Sequence, residues 1–272
     1  MSRKKAIVKR AVKLVLPFIV LAIFFLVFWH FAAREAAPPV GKLTQESETS
    51  AVEITSELAR KIIDNALPVS YRKETAQSYA SDFNSDGKKE IFISGVIASE
   101  KYAPAEEVFL ALLLPTDNKG NYKKIASSYF NKDDGNIGER GTPSLNGSDD
   151  ILDIDKDGKK EFVLDLGAGG ASNEAFGIFK IDWDAKKIIW LKVKRQDGAI
   201  ENTYFSEGGS ATHTEDFELK DVDSDGFVEV VESFEWLVIS SDGSESSQKD
   251  KYVYRWSDGM LIYNEALSKG GE

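Results

Sequence analysis

The chain has 272 residues, with 34 Lys and Arg against 45 Asp and Glu, a formal charge of −11, no cysteine and only two histidines. Such an acidic balance argues against nucleic acid and against docking on anionic lipid. The missing thiols exclude disulfides, thiolate metal sites and lipid-modified cysteine.

Residues 1–13 contain six basic residues and no acid, so the rest of the chain is more acidic than the whole. Residues 14–33, LVLPFIVLAIFFLVFWHFAA, contain no Asp, Glu, Lys or Arg. Twenty residues at about 1.5 Å rise cover about 30 Å, the thickness of a hydrocarbon core. Pro17 lies near one end and Trp29 at the other, where an interfacial aromatic is expected. The apolar run is longer than that of a signal peptide, and FAAREAAPP offers poor cleavage sites. The expectation is an uncleaved transmembrane helix with residues 1–13 cytoplasmic and everything after residue 33 outside the cytoplasm.

Residues 34–53, rich in Ala, Pro, Thr, Ser and Glu without periodicity, read as a linker to a domain over 54–272. A helix is predicted over 55–67, with Leu58, Ile62, Ile63, Ala66 and Leu67 on one face and Pro68 ending it. From about residue 70 the pattern becomes that of strands. AQSYASD, DILDID and DFELKDVD alternate, and EIFISGVIAS, EFVLDL and EVVESFEWLVIS are β-rich. Each is then followed by a predicted hairpin: EVFLALLLP with NYKKIASSYF, FGIFKIDW with IIWLKVK, and KYVYRW with MLIYNEAL. The fold class is therefore all-β, built of three four-stranded antiparallel units at about 75–145, 146–215 and 216–268.

Each unit has an acidic loop between its first two strands: DFNSDGKKE from residue 82, DIDKDGKKE from 153 and DVDSDGFVE from 221. The spacing of about 70 residues is that of a repeated supersecondary unit. Oxygen side chains at alternate positions, then a glycine that permits a sharp turn, suit a hard cation that takes six to eight oxygens. EF-hand is the rival reading. It requires a bidentate Glu at loop position twelve, which only the third loop has (Glu232; the others have Ile93 and Leu164), and helices on both flanks.

Loop and β-rich strand at this period resemble the FG-GAP and VCBS-type calcium repeats of integrin α-subunit propellers and bacterial surface proteins. The resemblance covers about residues 75–268. It implies blade-like hairpins in a small or partial β-propeller, with Ca2+ in each loop. Carried over by position, the ligands are Asp82, Asn84, Asp86 and Glu90, then Asp153, Asp155, Asp157 and Glu161, then Asp221, Asp223, Asp225 and Glu229. The backbone carbonyls of Lys88, Lys159 and Phe227 complete the shells. Phe176-Gly177 is the one FG pair found within the repeats, and three loops are fewer than the usual seven blades.

VLDLGAGGAS, with Gly167, Gly169 and Gly170, has the look of a nucleotide-binding loop, but a strand follows where a helix is needed. It reads as a tight inter-strand loop. His213 reads as a residue of a polar loop, without a nucleophile motif beside it. Trp183, Trp190, Trp236 and Trp256 read as core before they read as a sugar-stacking surface. The functional expectation is non-enzymatic recognition of a protein or glycan at the cell envelope by a membrane-anchored chain, with homo-oligomers compatible. A carbohydrate-active enzyme with structural calcium and a ligand-free scaffold are the alternatives.

Overall fold

The computed structural model describes residues 52–98, 104–131, 134–145, 147, 149–169, 173–210, 212–240 and 243–269. The expected transmembrane helix, its basic flank and the linker up to residue 51 lie outside them. Among the described residues no helix is long and apolar enough to cross a membrane.

The first element is helix α1 (Ser56–Ala66). Thr55 caps it, its Oγ1 accepting from the Leu58 N–H at 3.1 Å. Leu67 turns to an extended conformation, as a residue before proline must, and the helix ends there. Leu58, Ile62 and Ile63 are buried against Ile91, Ile93, Phe109, Ala111 and Leu113 of the first sheet. At roughly 1.5–3 kcal/mol per fully buried aliphatic side chain, that face, more than helix propensity, holds α1 in place.

The first sheet is a four-strand antiparallel meander: β1 (Gln77–Ser81), β2 (Glu90–Ile97), β3 (Glu107–Pro115) and β4 (Tyr122–Asn131). The second unit repeats that order with β5 (Ile151–Leu152), β6 (Glu161–Asp165), β7 (Asn173–Asp182) and β8 (Lys187–Trp190). The third has β12 (His213–Lys220), β13 (Glu229–Ile239), β14 (Glu245–Ser257) and β15 (Met260–Tyr263). Among the described residues strands make up 50% and helix 8%, so the class there is all-β.

The units stack face on face. Ile91, Phe162 and Val230 follow the loop glutamates, and all three are fully buried. Ile91 faces α1. Phe162 faces the first sheet, where it meets Phe83 and Phe92. Val230 faces the second unit, packed with Val163 and Ile178. Each unit thus turns the same face toward the element before it, α1 for the first and the preceding unit for the other two.

Two features depart from the sequence expectation. IIWLKVK is not one strand: it breaks at Leu191, and β9 (Lys192–Lys194) pairs in parallel with β15. β11 (Phe205–Gly209), which the sequence did not suggest, pairs with both β7 and β12 and so joins units two and three into one eleven-stranded sheet, with β10 (Ile200–Asn202), also not suggested, on β9 at its edge. The end of MLIYNEAL is a short helix, α2 (Glu265–Lys269), because Asn264 Oδ1 accepts from the Leu267 N–H at 3.1 Å and caps it.

No described sheet closes on itself. Thr214, Asp216, Glu218 and Lys220 form the outer face of β12 and are exposed. A polar outer face is how a repeat stack terminates.

Candidate metal loops and an aromatic face

The three acidic loops adopt one conformation. The first loop residue accepts from the glycine N–H in each case: Asp82 from Gly87 at 2.9 Å, Asp153 from Gly158 at 3.0 Å, Asp221 from Gly226 at 2.8 Å. The fifth residue accepts from the seventh: Asp86 from Lys88, Asp157 from Lys159 and Asp225 from Phe227, all at 2.8 Å. The third residue, Asn84, Asp155 or Asp223, accepts from the N–H of the fifth. The glycines sit at φ 83°, 84° and 85°, a left-handed region closed to most side chains. Ser85, Lys156 and Ser224 share that region at φ 58°, 57° and 61°. The sequence pattern did not signal this, since none is a glycine.

Each loop closes on the glutamate that begins the next strand. Glu90, Glu161 and Glu229 are buried, and each Oε2 accepts a backbone N–H at 2.9 Å, from Phe83, Ile154 and Val222 respectively. All four side-chain ligands predicted for each loop therefore come from one turn and the strand that leaves it. In the second loop, oxygens of Asp153, Asp155 and Glu161 lie within 4.8 Å of one another. In the third, Asp221, Asp223 and Asp225 do so, without Glu229.

In the first two loops burial outweighs the positive charge at hand, which in the second loop includes Lys159, 3.6 Å from Asp157. Burial, with the nearby Asp86 and Asp82 adding to it, pushes the Glu90 carboxyl up to about 7. Burial, with Asp155, Asp157 and Asp153, does the same to Glu161, also to about 7. Asp155 is raised as well, chiefly by burial. Among the described residues two buried carboxylate oxygens have no hydrogen-bond partner: Glu90 Oε1 and Asp153 Oδ1. Orphaned buried acceptors are costly unless something neutralises them. A divalent cation fits this donor set, which is all oxygen and carries excess negative charge.

The loops are also in contact with each other. The Lys160 N–H donates to the Phe83 carbonyl at 3.2 Å, and the Lys156 ammonium lies 3.9 Å above the Phe227 ring. A pocket of about 300 Å³ beside the second loop is lined by Asp155, Asp157, Glu161, Lys180 and Trp183, among others.

A second candidate surface lies on β12–β15, where the exposed residues Trp236–Ile239 of β13 form an overhang. His213 stacks on Trp236 at 5.1 Å, Trp236 lies 6.4 Å from Phe234, Phe234 lies 5.8 Å from Tyr252, and Tyr252 lies 6.1 Å from Tyr263. His213 is thus a strand residue, contrary to the loop expectation, because HTEDFELK alternates in burial along its whole length. Trp190 is core, and Trp183 and Trp256 are partly buried as expected, but Trp236 is 41% exposed. An open groove of about 1000 Å³ runs beside Phe234, Tyr252 and Tyr263 and includes Asp216, Glu235 and Asp250. Glu235 is paired with Lys249 at 3.2 Å, which holds its carboxyl below the usual range. That is the opposite of what a general acid needs.

The glycines of the nucleotide-like segment hold strands close together. A Cβ on Gly169 would sit 2.4 Å from the Asn173 carbonyl oxygen, and one on Gly167 would sit 2.5 Å from that of Gly141. Gly170 lies outside the described residues. No protein-family model matches this sequence, and no curated protein is measurably similar to it.

Proposed function

We propose that the chain is a membrane-anchored, extracytoplasmic calcium-binding repeat protein that recognises a protein or glycan at the cell envelope. The observation that carries the calcium reading is the fully buried Glu90 carboxyl, which keeps one oxygen unpartnered in a loop repeated twice more with the same hydrogen bonds. Three blade-like meanders with the loop between their first two strands agree with the FG-GAP resemblance. Here they form an open stack. The anchor reading rests on the apolar run 14–33 and the basic residues before it.

Recognition is favoured over catalysis by the aromatic row on the overhang. Flat, half-exposed rings offer stacking area at little entropic cost. In the adjacent groove Lys249 holds the Glu235 carboxyl below the usual range, the opposite of the raised acid that glycoside hydrolysis requires. The test is a photo-crosslinking amino acid in place of Trp236 in the full chain, irradiated in intact cells, with the same residue in place of the 95% exposed Val69 as control. Adducts at position 236 and none at 69 are expected. Equal yields at both positions would remove the aromatic row as the binding face.

A further inference from the structure

The three units share one register position that decides how each loop is neutralised. One step beyond the Ile91–Leu113 pair of unit one, Leu114 stands across from Glu90. One step beyond Phe162–Phe179 in unit two, Lys180 stands across from Glu161. One step beyond Val230–Tyr254 in unit three, Arg255 stands across from Glu229.

Leucine brings no charge, and Glu90 Oε1 stays unpartnered. Lys180 extends over the Trp256 ring, 5.3 Å from its centroid, and reaches Asp155 only through its charge; among the described residues the loop's one ion pair is its own Lys159 with Asp157, at 3.6 Å. Arg255 enters its loop. Its Nη2 lies 2.5 Å from Asp223 Oδ2, 3.2 Å from Asp225 Oδ2 and 2.8 Å from Glu229 Oε1. Its Nε donates to the same Glu229 oxygen at 2.9 Å. That oxygen is the counterpart of the orphaned Glu90 Oε1. Contacts to three of the four predicted ligand side chains put the guanidinium where a cation would otherwise sit.

We infer that Arg255 is the resident cation of the third acidic loop, so that the folded chain has two divalent-metal sites and not three. A planar guanidinium satisfies several carboxylates at once and is charged at any accessible pH. A metal entering this loop would have to displace three ion-pair contacts, one of them to a buried carboxylate. The third loop is therefore a metal-independent copy of the other two and stays folded when calcium is withdrawn.

The inference rests on the calcium reading, and counting bound metal separates the two. Calcium per full-length chain in detergent is measured by equilibrium dialysis for the parent, Arg255→Leu and Asp223→Ala. Leucine is chosen because Leu114 occupies this position in unit one. Two ions are expected in the parent, two in Asp223→Ala and three in Arg255→Leu. Melting gives the second readout: Arg255→Leu should melt below the parent in EDTA and recover most of the difference in millimolar calcium. Three ions in the parent, or loss of one in Asp223→Ala, would overturn the Arg255 assignment while leaving calcium binding intact. Two ions in both the parent and Arg255→Leu would overturn it as well. No calcium on any of the three proteins would end the calcium reading itself.

Discussion

Phe162 of the second unit packs its ring 5.4 Å from that of Phe92 in the first, and 5.9 Å from Phe83. It also stacks on Phe179 at 6.0 Å. Phe83 and Phe162 belong to an acidic loop and to the strand that follows one, so the loops are tied to the core between units. Phe162→Ala should cost about 3–5 kcal/mol, the loss of a buried aromatic plus the cavity it leaves. Val69→Ala, at a 95% exposed position, should stay within about 0.5 kcal/mol. Urea unfolding of both variants checks the pair, and a Phe162→Ala cost below about 1 kcal/mol would mean that the units do not share a core.

The pH dependence follows from Glu90 and Glu161, both raised to about 7 in the folded chain, chiefly by burial. A carboxyl raised on folding binds its proton more tightly in the native state. Without metal its contribution is favourable below the unfolded value near 4.5 and is lost as pH climbs through about 7. In EDTA, melting should therefore fall between pH 5 and 8, by on the order of 3 kcal/mol per group. Calcium competes with these protons, so its stabilisation should be small at pH 5 and largest at pH 8. Melts across that range with and without calcium test it, and a calcium effect that grows toward pH 5 would have the wrong sign.

The anchor reading predicts a topology. Protease added outside spheroplasts should digest the β-repeat domain and leave a short protected fragment containing residues 1–33. A soluble product beginning near residue 34 would mean that the apolar run is cleaved.

Helix α1 was legible almost to the residue, because a Thr cap, an apolar stripe and a following proline are all local signals. The loops were legible for the same reason, and so were the meanders, which consist of neighbouring strands. What the sequence could not show depends on contacts between distant residues. Arg255 lies 26 positions from Glu229 and reaches it only through the β13–β14 register. The parallel β9–β15 pair joins segments about 70 residues apart. His213 read as loop because Gly208, Gly209 and Ser210 precede it. It is strand because β13 offers it a partner in Trp236.

Calorimetric melting of the full chain in EDTA and in millimolar calcium tests the central claim, that the acidic loops hold divalent metal in the folded state. Two sites at a hundredfold excess over Kd contribute about 2.7 kcal/mol each, which for a domain of this size raises Tm by on the order of 10 °C. Asp155→Ala should lose more of that gain than Asn84→Ala, since the second loop supplies a carboxylate where the first supplies a neutral amide. A parent that melts at the same temperature in both buffers, with no calcium bound on dialysis, would reduce the loops to turns and contradict the account.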